Sequence, residues 1–183
     1  MPIDDNKRIV SADIPAVVVP SGESITIPKD SEVNITHRLG GKFTVTWEYG
    51  MARVDGAYAE ALGEKPQEKS ESSAGPSVWN EENLWDALRL VYDPEIPVDI
   101  VNLGLIYSLE CTDIVGQPGQ HHVWVKMTLT APGCGMGPSI AADARERLLQ
   151  VVGVADANVD VVWDPPWNQE MISQEGRMIL GLI

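Results

Sequence analysis

Phe43, Val45, Trp47 and Tyr49 alternate with Thr44, Thr46 and Glu48, the two-residue period of a half-buried strand. Glu32-Val33-Asn34-Ile35-Thr36 offers a partner strand. Between them, Leu39-Gly40-Gly41-Lys42 has the paired glycines of a hairpin turn. Ala57 to Leu62 predicts one or two helical turns stopped by Gly63. Together these segments predict a small β-rich domain over residues 1–63, in which His37 is a surface or strand residue. Residues 64–77 contain no large apolar side chain and read as a flexible polar linker.

The pattern changes after the linker. Asn80 is placed to cap a helix whose first turn carries Glu81 and Glu82 and whose apolar face is Leu84, Leu88 and Val91. Pro94 and Pro97 prevent its continuation. Leu105, Tyr107, Leu109 and Cys111 then predict one strand face, and Gly116-Gln117-Pro118-Gly119 a turn. A second strand follows, with Val123, Val125, Met127 and Leu129 on one face and Trp124, Lys126, Thr128 and Thr130 on the other. Pro138 suits the first position of a helix lined by Ile140, Ala144, Leu148 and Val151. Val159, Val161 and Trp163 predict a third strand, and Asn168 to Glu175 a last short helix before Gly176. The expected fold class is α+β: a C-terminal α-β-β-α-β domain over residues 78–183 with a mixed sheet of three strands or more, preceded by the β-rich N-terminal domain.

Connection lengths place three segments together. A short turn makes the first two strands of the C-terminal domain antiparallel neighbours, and a helical crossover makes the third parallel to the second. Asp93-Pro94-Glu95, Ala131-Pro132-Gly133-Cys134-Gly135-Met136-Gly137 and Asp164-Pro165-Pro166-Trp167 should therefore meet at one rim of the sheet, where open α/β folds commonly place their sites.

Charge narrows the choice of chemistry. The 183 residues carry a formal net charge of −14, which repels phosphate backbones and anionic membrane surfaces. Neither nucleic acid nor membrane is an expected partner. No apolar run approaches the roughly 18 residues of a spanning helix, and the start, Met1-Pro2-Ile3-Asp4-Asp5, lacks the basic flank and apolar stretch of a secretory signal. Two cysteines, Cys111 and Cys134, make no disulfide framework. The expected compartment is the reducing cytoplasm.

Cys134 carries the sharpest functional signal. Gly133, Gly135 and Gly137 leave its surroundings uncrowded, and a helix begins just after it, whose positive end favours a thiolate. The plainer reading is a small apolar filler. Cys111 falls on an apolar strand face and reads as a structural residue. Asp93 and Glu95 permit two readings, a turn around Pro94 or oxygen ligands near Cys134. His121 and His122 are adjacent on a strand, so they point to opposite faces and cannot chelate one ion together; solvated hairpin residues are the simpler expectation. Trp163 and Trp167 are expected to pack in the core and at the rim. A nucleophilic enzyme is disfavoured because no histidine is placed to activate Cys134 and nearby carboxylates oppose its ionisation.

Three ordered segments resemble the signature of the PaaD/SufT-type iron–sulfur assembly domain: Asp93-Pro94-Glu95-Ile96-Pro97-Val98-Asp99-Ile100-Val101-Asn102-Leu103-Gly104-Leu105-Ile106-Tyr107, Met127 through Gly137, and Val161 through Trp167. The match covers about residues 80–183, and Leu39 to Val45 with Asp55 to Gly63 resembles the N-terminal part of the family's long bacterial form. The resemblance implies a non-enzymatic auxiliary factor in iron–sulfur protein maturation, with scaffold and client apo-proteins as partners. It maps the family's loop cysteine to Cys134, its acidic pair to Asp93 and Glu95, and a loop threonine to Thr130. Many members carry a second threonine where this chain has Ala131. A cluster ordinarily takes four thiolates, or thiolates plus histidines. The expectation is therefore a labile iron–sulfur cluster with Cys134 as its metal ligand, completed by a second subunit of a homodimer, a small thiol or the client. A metal-free adaptor between scaffold and client and a PaaD-like maturation partner of an aromatic-compound oxygenase are the alternatives.

Overall fold

The computed structural model describes residues 6–65 and 79–183. All but the first two residues of the expected linker lie outside the described residues. The chain divides into two compact units, residues 1–71 and 72–183.

Unit 1 is a six-stranded antiparallel sheet of β1 (Lys7–Ile9), β2 (Ile14–Val19), β3 (Ser24–Ile27), β4 (Glu32–Leu39), β5 (Lys42–Trp47) and β6 (Gly50–Asp55), in the order β1-β4-β5-β6-β2-β3. The hairpin between β4 and β5 turns through Gly40 and Gly41, both with positive φ (62° and 72°), as a tight two-residue connection requires. Inward residues of these strands, among them Ile14, Ile27, Ile35, Phe43, Val45 and Val54, bury completely with Leu62. Leu62 belongs to the second of two 3-10 turns, Gly56–Tyr58 and Glu60–Leu62, which end at left-handed Gly63. Tyr49 departs from the expected strand. It lies in the turn to β6 and is exposed, because Trp47 pairs with Gly50 and ends the ladder.

Unit 2 runs α1 (Glu82–Leu88), β7 (Ile106–Asp113), β8 (His121–Met127), α2 (Gly137–Leu149), β9 (Val154–Val161) and α3 (Gln174–Ile179). Its sheet is mixed: β7 pairs antiparallel and β9 parallel with central β8. The Asn80 side chain accepts the Glu82 N–H at 3.0 Å, and Leu84 and Leu88 of α1 are fully buried. Ile140, Ala144 and Leu148 of α2 bury with Val123, Val125 and Met127 of β8, so α2 covers one face of the sheet, with α1 packed against α2.

Three local expectations change. A bulge between Ile106 and Ser108 removes Tyr107 from the strand register, so Ile106, Leu109 and Cys111 stand opposite Met127, Val125 and Val123. Tyr107 instead donates its hydroxyl to the Pro165 carbonyl at 2.7 Å. The chain end is a 3-10 turn, Gln169–Met171, then α3 capped by Ser173. Gly176 lies inside that helix, not beyond it, and packs against the Asn102 carbonyl and Ile172 with no room for a side chain. His121 and His122 do face opposite ways but are not freely solvated. His121 is buried, stacked on Trp79 and 2.9 Å from Asp113, while half-buried His122 stacks on Trp124.

Candidate functional site

The C-terminal end of β8 is held between its two neighbours. The Thr128 N–H donates to the Leu105 carbonyl just before β7, and the Val162 N–H just after β9 donates to the Met127 carbonyl, both at 2.8 Å. The chain then runs through buried Leu129 and half-buried Thr130, emerges over Ala131, Pro132 and Gly133, and returns at Met136, which is fully buried. Gly133 has φ 78°, a backbone state that suits glycine. The Gly137 N–H donates to the Cys134 carbonyl at 3.2 Å. Gly137 also lets α2 start against the strand end, for a side chain there would meet Leu129. Cys134 thus sits half-buried and unbonded to another cysteine in a loop anchored at both ends.

The other expected site residues are placed as follows. Asp93 is buried, and its Oδ1 accepts the N–H groups of Glu95 and Ile96 at 2.8 and 3.1 Å. That is an Asx turn, the first of the two readings open for this pair. The Glu95 side chain is exposed. Among the described residues no three His, Cys, Asp or Glu side chains converge as a metal-binding group, so Cys134, Asp93 and Glu95 do not form one. Cys111 is half-buried, and its thiol is pushed up by burial and then by the carboxylates of Glu81 and Asp113, which keeps it in the weakly nucleophilic thiol form.

Sequence reasoning missed the role of the residues after Pro97. Asp99 Oδ1 accepts the N–H groups of Val101 and Asn102 at 3.0 and 2.9 Å, and its Oδ2 accepts the Asn102 amide at 2.8 Å. Asn102 Oδ1 in turn accepts the Ser173 hydroxyl at 2.6 Å, and the Ser173 N–H reaches the Asn102 carbonyl at 2.9 Å. The Trp167 indole donates to the Leu103 carbonyl at 2.8 Å. Gly104, with φ 72°, lies against the Met171 backbone with no room for a side chain. This stretch of the signature is therefore a bracket that fixes residues 167–176 beside the sheet. Tyr92, paired with Asp99 in an isolated bridge, has its phenol pushed up by burial and by the carboxylates of Asp99 and Glu175. The signal available in the sequence was the spacing Asp99-x-x-Asn102, an aspartate able to close a turn on an amide three residues on.

The class these features define is a small α+β domain that presents one thiol in a glycine-bordered loop where strand ends gather. A family model described as an iron–sulfur cluster assembly protein matches residues 81–161. Over 103 residues the chain is 43% identical to a protein of Porphyromonas gingivalis named "Fe-S protein maturation auxiliary factor", covering 56% of this chain and 92% of that one. It is 39% identical over 101 residues to "Fe-S protein maturation auxiliary factor YitW" of Bacillus subtilis, covering 55% and 93%. Against "Fe-S protein maturation auxiliary factor SufT" of Staphylococcus aureus it is 39% identical over 93 residues, covering 51% and 99%. The chain belongs to this iron–sulfur cluster assembly family, through its second unit.

Proposed function

We propose that the protein is an auxiliary maturation factor that helps deliver iron–sulfur clusters to client apo-proteins, with Cys134 as one labile ligand of the transferred cluster. The cluster is cargo here. The observation that carries this reading is the setting of Cys134: one thiol in a loop pinned by Leu129 and Met136, with no three donor side chains gathered among the described residues. A single protein thiolate holds a cluster weakly, and its remaining ligands come from a second copy, a small thiol or the client. Transfer is then ligand exchange. The iron–sulfur bond to Cys134 breaks as one to a client thiolate forms, with no electron transferred. Asp93 shapes its own turn, exposed Glu95 contributes negative charge, and Thr130 leads into the loop. Residues 64–77 are read as the linker joining an N-terminal domain to residues 78–183, and the work is assigned to the cytoplasm.

Anaerobic reconstitution with iron and sulfide tests the ligand. The expected result is a weakly held chromophore that Cys134→Ser removes and Cys111→Ser retains. An equal chromophore in Cys134→Ser overturns the assignment. A metal-free adaptor is the second reading, favoured by Trp163, which is 45% exposed where packing was expected. It requires Cys134→Ser to keep both its partners in pull-downs and full activity in cells.

A further inference from the structure

The face of the unit 2 sheet turned away from α2 is polar except at its centre. Paired residues place Ser108, Glu110 and Thr112 of β7 beside Lys126, Trp124 and His122 of β8, with Asp160, Asn158 and Asp156 of β9 on the far side. Trp124 is 38% exposed, yet it is held still. His122 stacks on its indole at a centroid distance of 3.6 Å and 12° between planes. His122 Nε2 lies 3.1 Å from the Asn158 amide and 3.5 Å from Asp156 Oδ2, and Arg145 of α2 grips Asp156 at 3.2 Å and the Ala157 carbonyl at 2.7 Å. A fixed, exposed indole lowers the ordering cost of binding and is a common anchor of protein interfaces.

We propose that this face docks a basic polypeptide segment of a partner, seating an Arg or Lys side chain on Trp124 between Glu110 and Asp160. The charge on the page selects that occupant. Glu110 stands directly across from Trp124, and Asp156 and Asp160 flank it on β9. Lys126 and the Asp156-bound Arg145 are the face's own cations. Residues 78–183 hold 15 acids against 5 bases, so a second copy of this unit, or a phosphate backbone, meets like charge. A cation over an indole is attracted to the ring face as well as to the carboxylates beside it. The proposal does not depend on Cys134.

The test titrates the full chain with a fluorescein-labelled Arg-Ser-Arg-Ser-Arg peptide at low salt, with each variant's fold checked by circular dichroism. Trp124→Ala is expected to weaken binding about fivefold, as loss of a cation–π contact does. Glu110→Gln with Asp160→Asn is expected to do the same or more. Glu23→Gln with Glu48→Gln, two exposed acids of unit 1, is the charge-matched control and is expected to leave affinity within twofold. Unchanged binding by Trp124→Ala overturns the proposal, and so does an equal loss in the control, which assigns the attraction to diffuse charge. A concentration-dependent dimer that Trp124→Ala abolishes also overturns it, giving the face to a second copy.

Discussion

Asn102→Ala is the sharpest probe of the bracket that joins the signature segment to the chain end. Asn102 is 9% exposed and its side chain makes two hydrogen bonds, one to the Asp99 carboxylate and one from Ser173. A hydrogen bond to a charged group is worth about 1.5–3 kcal/mol and a neutral one about 0.5–1.5 kcal/mol. The alanine leaves Asp99 Oδ2 and the Ser173 hydroxyl without this partner, while Asp99 Oδ1 keeps its two backbone donors. The expected loss is about 2–4 kcal/mol in the unfolding free energy of unit 2. Urea unfolding followed by tryptophan fluorescence reads it directly, because five of the six tryptophans (79, 85, 124, 163 and 167) belong to this unit. The midpoint should fall with the slope unchanged. Ser173→Ala should cost less, about 1–2 kcal/mol, through the lost contact and the lost cap on the Gly176 N–H. The double variant should lose less than the sum, since the two residues share a bond. An Asn102→Ala protein within about 0.5 kcal/mol of wild type would refute the reasoning.

Three further outcomes are expected. Gly104→Ala should destabilise unit 2 by about 2 kcal/mol or more, because it adds left-handed strain to a clash with the Met171 backbone; the same urea titration checks it. Glu64 bridges Arg8 and Arg38, and its carboxyl is held below the usual range, first by the Arg38 hydrogen bond, against an opposing effect of burial. A lowered folded pKa gives stability that is full above the unfolded value of about 4.3 and fades as pH falls through the lower folded value. Protection of the β1 and β4 amides relative to intrinsic hydrogen exchange should therefore fall below about pH 4, and Glu64→Gln should flatten that part of the dependence. Cys111, raised by burial, Glu81 and Asp113, should react with iodoacetamide at pH 8 more slowly than a free cysteine peptide. Glu81→Gln with Asp113→Asn should shift its pH–rate profile downward.

The order of strands was readable where connections are short. Gly40-Gly41 and the turn at Gly116 to Gly119 announce their hairpins, because a tight turn demands particular residues. The three early strands of the unit 1 sheet were not foreseen, nor was β6, whose short turn at Glu48-Tyr49 carries no glycine signal. β1 pairs with β4 and β2 with β6, and no local pattern encodes a partner thirty residues away. The same limit hid the bracket, since Asn102 and Ser173 are far apart in the chain. Tyr107 was misassigned because a bulge shifts the two-residue alternation without altering composition. Around Cys134, glycine spacing exposed the loop, whereas the place of Asp93 before Pro94 left turn and ligand equally open until the Asx geometry was visible.

The separation of Asn102 from Ser173, 71 positions, also bears on synthesis. A nascent chain emerges from its amino end, and the unit 1 sheet has every strand it needs once Asp55 is outside the ribosome. Residues 99–104 must wait for Trp167, Met171 and Ser173 before their turn is locked. Asn102, Leu103 and Gly104 thus find these partners only once residues 167–173 have emerged.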